Sequence, residues 1–164
     1  VYMCEDDECK ELEWVRKRGL DLRGFTLSYD GDVRSGYVLW MLMGGCSEDE
    51  PSLDLATYFA TRGKLTHLDE ICEGYTALSK ACQKGYLEIV KCLLAAGADK
   101  EKAGSDGVTA LIYAARGGHV EVVQLLLSAG ADKERADSDG RTALIWAARG
   151  GHGEVVQLLQ PARP

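Results

Sequence analysis

No stretch of this chain is apolar over anything near the roughly 20 residues that span a bilayer, and the strongest candidate, Tyr37 to Met43, is far too short. No membrane association is therefore expected. The opening VYMCEDDECK is acidic where a secretory leader is basic and then apolar, so no leader is expected there; Val1 in place of Met reads as a fragment or a processed product. Positive charge is also scarce: the formal net charge is −7, which argues against a general affinity for nucleic acid. Histidine occurs three times, at 67, 119 and 152, and none sits beside a serine or cysteine in a nucleophile motif. The paired glycines Gly44-Gly45 and Gly117-Gly118 lack the lysine and spacing of a phosphate-binding loop. Six cysteines stand at 4, 9, 46, 72, 82 and 92, and Cys4-x4-Cys9 has no second pair or histidine at zinc-ligand spacing. No catalytic site, metal or cofactor is therefore expected. The cysteine usage suits a reducing compartment, and the expected location is cytoplasmic or nuclear.

What the chain does have is a repeat. The stretch DGVTALIYAARGGHVEVVQLLLSAGADKERADS at 106–138 restarts at Asp139 as DGRTALIWAARGGHGEVVQLLQPARP, and 106–131 and 139–164 are identical at 19 of 26 positions. A looser copy begins at Glu73, and Gly74, Gly107 and Gly140 keep a constant spacing of 33, as do Thr76, Thr109 and Thr142, and Gly85, Gly118 and Gly151. A fixed period of that length marks a stacked repeat array.

Within 106–138, Gly107 suits a turn, and the Thr109 hydroxyl can cap a following helix by accepting from an orphan amide. The pattern predicts a short first helix over Ala110 to Arg116, stopped by Gly117-Gly118, and a second from about Val120 to Ser128, with Val120, Val123, Leu126 and Leu127 on its apolar side. Ala131 to Ser138 is polar and charged and is expected to form a projecting loop or hairpin. Helices this short are unstable alone and must bury their apolar faces on the next copy. His119 and His152 recur at one position of the period, which makes them turn-flanking structural residues rather than a catalytic pair.

These motifs closely resemble the ankyrin repeat: DG-x-TAL at 106–111 and 139–144, AA-x-x-GH at 114–119 and 147–152, E-VV-x-LL at 121–126 and 154–159, and GAD at 97–99 and 130–132. The resemblance covers 73–164 and implies an all-α solenoid of stacked helix-turn-helix units with projecting hairpin loops. The family's T-P-L-H reads TALS at 76–79 and TALI at 109–112 and 142–145, so its proline and histidine are missing. A family trait, hydroxylation of a hairpin asparagine, is not expected, because Glu101 and Glu134 stand at the matching positions.

The expected units are 73–105, 106–138 and 139–164, preceded by a degenerate capping repeat within 51–72 that lacks the hairpin. Residues 1–50 form either a non-repeat extension or a highly degenerate repeat. At the other end Gln160 replaces Leu127, and a polar residue on an outer face is what a terminal cap needs; the alternative is an array cut short.

In the ankyrin family, hairpins and first helices form one concave side where protein partners bind. Carried over by position, that side holds Tyr75, Val108 and Arg141 at the turns, Lys80, Tyr113 and Trp146 on the first helices, and Lys84, Arg116 and Arg149 one turn on. Tyr, Trp and Arg are enriched among binding hot spots. The expected function is a non-catalytic protein-interaction module, an adaptor or scaffold, monomeric, whose partner offers an acidic segment and an apolar anchor. Alternatively, Tyr113 and Trp146 fill inter-repeat space. From a different class, the chain would be a regulatory segment of a larger enzyme or channel.

Overall fold

The computed structural model describes residues 68–160. Among these, six α-helices follow one another in pairs: α1 (Ala77–Lys84) with α2 (Leu87–Ala95), α3 (Ala110–Gly117) with α4 (Val120–Ser128), and α5 (Ala143–Arg149) with α6 (Gly153–Leu159). The predicted second helix has the expected bounds, and the first runs one residue further. The expected N-terminal extension, the degenerate unit within 51–72 apart from 68–72, and the residues after Gln160 lie outside the described residues. No helix among the described residues is long and apolar enough to cross a membrane.

The threonines start the inner helices. Thr76 caps α1 in a full capping box, its hydroxyl accepting from the Ser79 N–H while the Ser79 hydroxyl accepts from the Thr76 N–H. Thr109 accepts from the Ile112 N–H at 3.4 Å, whereas Thr142 makes no side-chain cap bond. Gly85 and Gly118 end α1 and α3 in the left-handed conformation, at φ 75° and 72°.

Each inner helix packs on the inner helix of the next unit and on its own outer helix. In the middle unit this buries α3 on every side: Ala110 through Ala115 are all buried. Such a helix can be apolar all round, as ALIYAA is. On α4 the buried residues are Val122, Val123 and Leu126, while Val120 and Leu127 are only half-buried. The buried side is therefore turned from the expected one, because α4 meets α3 through the stripe centred on Val123.

Polar stitches join the units. The His119 Nε2 donates to the Gln83 carbonyl, and the His152 Nε2 to the Arg116 carbonyl, each at 3.0 Å. A carbonyl only accepts, so Nε2 carries the proton in both rings. The rings lie over the preceding unit's glycine so closely that a Cβ on Gly118 would stand 2.5 Å from His152. In the loops, the Asp99 N–H donates to Asp69 and the Asp132 N–H to Glu101, at 2.8 and 2.9 Å. Among the described residues, strand-like pairing is confined to single bridges, Cys72 with Tyr75 and Ala136 with Thr142.

Candidate functional site: an arginine-ringed tryptophan

Trp146 sits midway along α5, half-buried. Three guanidiniums surround its ring, with Arg141, Arg116 and Arg149 carbons 4.5, 4.9 and 5.6 Å from the centroid. Helix geometry and stacking explain the convergence. Arg149 lies three residues on from Trp146, one turn away, Arg116 comes from the last turn of the preceding inner helix, and Arg141 comes from the turn before α5. Each such contact is worth about 0.5–1 kcal/mol where water reaches it.

Asp137 locks the tryptophan in place. Its buried carboxylate accepts from the Trp146 indole N–H at 2.9 Å, the Arg141 Nε at 3.3 Å, and the backbone N–H groups of Asp139 and Arg141 at 3.0 and 2.9 Å. Burial alone would push this carboxyl up. The Arg141 N–H, the Trp146 indole and the Arg141 charge outweigh burial and hold it below the ordinary carboxylate range. Arg141 also contacts Asp139, so its charge is answered twice. Arg116 and Arg149 have no acidic partner among the described residues, and both are exposed. Two uncompensated cations thus flank one indole in a chain of net charge −7.

The upstream counterpart is built differently. Tyr113 is 3% exposed, and its hydroxyl donates to the Asp106 carboxylate at 3.2 Å. Burial, then the Asp106 charge and the neighbouring Tyr75, push the Tyr113 hydroxyl well above its ordinary range. The Tyr75 and Tyr113 rings meet at 5.2 Å, tilted by 40°. Lys80, itself 8% exposed, places its ammonium 5.0 Å over the Tyr75 ring. Val108 is 7% exposed.

The nine expected surface residues therefore divide. Arg116, Arg141, Trp146 and Arg149 form one cluster; Tyr75 is half-buried against Tyr113, and Lys84 is exposed in the last turn of α1. Val108, Lys80 and Tyr113 lie below the surface, so Tyr113 fills space between units. The residues not anticipated are Asp137 and Asp139, which orient the cluster. Their sequence signal is an aspartate pair around Ser138 just before a glycine turn, a place where such side chains accept from nearby backbone N–H groups.

The fold described is an all-α stack of repeated helical pairs. The family model for ankyrin repeats (3 copies) matches residues 42–137 and 101–163. The chain belongs to the ankyrin-repeat family, whose members are generally protein–protein interaction modules and typically non-catalytic. No curated protein matches it.

Proposed function

We propose that this chain is an adaptor or scaffold piece without catalytic activity, and that it takes an acidic segment of a protein partner on its inner helices at Arg116, Trp146 and Arg149. The observation that carries this reading is the pair of exposed guanidiniums with no acidic partner among the described residues, held beside one half-exposed indole. Guanidiniums present planar forks of donors that match a carboxylate, and a pair fixed by stacking on one ring gives up less freedom on binding than two mobile side chains. Arg141 contributes orientation more than charge, since Asp137 and Asp139 already answer it. The partner's apolar anchor meets the half-buried Trp146 rather than Tyr113 or Val108. All these groups come from one copy of the chain, so a monomer suffices. Cys82 and Cys92 carry free thiols, which fits work in a reducing compartment such as the cytoplasm.

The reading is tested by capture from a cytosolic extract with the wild-type chain and with an Arg116→Glu/Arg149→Glu double variant. A partner held by the first and lost by the second supports the acidic-segment reading. A partner held equally by both overturns it. Both arginines are exposed, so the exchange is expected to leave helicity unchanged, which circular dichroism checks.

A further inference from the structure

Each inner helix carries one basic residue in its last turn: Lys84 in α1, Arg116 in α3 and Arg149 in α5. All three are exposed, and none has an acidic partner among the described residues. Arg116 and Arg149 occupy the same position of successive repeats. Lys84 stands one residue past that position, which Gln83 fills while donating to the Tyr75 hydroxyl at 3.4 Å. The flexible four-carbon stem of Lys84 gives its ammonium the reach to rejoin the row. The dipole of each helix favours a cation at this end, which accounts for the residue type. The carbonyls there carry only partial charges, so each side chain still has a full positive charge to offer a ligand.

Three cations in a row set a spacing as well as a sign. The helix α1 packs on α3, and α3 on α5. Helices packed side by side lie about 8–10 Å apart, so the last turns step by about that distance from unit to unit. A chain in the polyproline II conformation turns once in three residues and rises about 3.1 Å per residue, so every third side chain returns to one side at intervals of about 9 Å. That matches the step. A β-strand returns a side chain to one face at about 6.6 Å, which is too short. An α-helix meets the step only at every second turn, at about 11 Å.

Resting on the acidic-segment reading above, we propose that the partner segment crosses the three inner helices as a polyproline II stretch with an acidic residue at every third position. Its carboxylates face Lys84, Arg116 and Arg149 in turn, the central one meeting Arg116. The site thereby extends one unit beyond the Trp146 cluster, to Lys84. What is recognised is a spacing, acid-x-x-acid-x-x-acid, rather than a number of negative charges. Prolines between the acids suit such a ligand, because they preset its conformation and less freedom is lost on docking.

The test follows the fluorescence anisotropy of labelled peptides titrated with the full chain at low salt. The peptide EPPEPPE carries its glutamates at the proposed spacing, and PPEEEPP has the same composition with the glutamates adjacent. A helix-forming alanine peptide with glutamates seven apart covers the α-helical alternative. EPPEPPE should bind at least about threefold tighter than either, since exposed ion pairs contribute modestly and only when they meet. Exchanging its central glutamate for glutamine should weaken binding to the wild-type chain by about twofold or more and to the Arg116→Gln chain hardly at all. The Lys84→Gln and Arg149→Gln chains should still feel that loss, because their missing cations lie opposite other glutamates. All three cations are exposed, so these exchanges leave the fold in place. If EPPEPPE and PPEEEPP bind equally and both are lost with Arg116→Glu/Arg149→Glu, the acidic-segment reading stands and the spacing proposal falls. Tighter binding of the helical peptide, or a central glutamate that couples equally to all three cations, overturns the spacing proposal as well. If none of the peptides binds, both readings fail together.

Discussion

The middle and last helical pairs have nearly the same sequence and very different surroundings. Ile112 is 1% exposed and its counterpart Ile145 is 42% exposed. Thr109 caps its helix and Thr142 does not. Tyr113 is sealed between units, and Trp146 lies half-open under three guanidiniums. In a stack, what a residue does is set by how many neighbours its unit has, and identical letters carry different energies. The last described unit leaves open part of the pattern that the middle unit buries.

The comparison can be broken most easily at the paired isoleucines. Ile112→Ala should cost about 2–5 kcal/mol, as a buried truncation that leaves a cavity does. Ile145→Ala should cost less than about 1 kcal/mol, because much of its surface is already in water. Urea denaturation of both variants measures the gap; equal losses would mean that the end face is covered in solution.

A smaller contrast lies at the glycines. Alanine at Gly118 meets both the left-handed backbone and the His152 ring, so it should cost about 2–3 kcal/mol, the range for strain of this kind plus displaced packing. Alanine at Gly151 meets the backbone penalty alone, roughly 1–2 kcal/mol. Thermal midpoints should rank the two in that order.

The caps give the next difference. Thr109→Ala should lose about 1 kcal/mol, the typical worth of an N-cap, and Thr142→Ala only a few tenths. Hydrogen exchange at the first turns of α3 and α5 should separate them.

The smallest expected effect is one of pH. Because the Asp137 carboxyl titrates below its unfolded value in the folded chain, its contribution is fully present above about pH 4 and is lost as pH falls through the folded value. Asp137→Asn should therefore flatten the fall in urea midpoint between about pH 4 and pH 2 relative to wild type. An unchanged slope would mean that the Trp146–Asp137–Arg141 network is not formed in solution.

Much of this architecture was legible in the sequence. The helix bounds followed from Thr109, Gly118 and the second glycine series, since caps act through local backbone groups that spacing reveals. The inward turn of α4 was not legible, because Val120, Val122 and Val123 differ only in which of them faces α3. The burial of Val108, Lys80 and Tyr113 was hidden for a similar reason: tyrosine and lysine stems suit a covered interface as well as an open one. Asp137 was invisible to periodicity, since its counterpart one unit earlier is Gly104, and its role arises from a loop closing on a tryptophan rather than from a repeated letter.

The central claim is that Arg116 and Arg149 make Trp146 a reader of acidic segments. The most direct measurement is fluorescence of a Trp14→Phe/Trp40→Phe chain, in which Trp146 is the sole indole, titrated with a glutamate-rich peptide ending in an aromatic residue. The account predicts a saturable change in Trp146 emission that weakens with added salt and disappears in the Arg116→Glu/Arg149→Glu variant. Emission that stays constant across the titration, or a response that survives the double exchange, would contradict it.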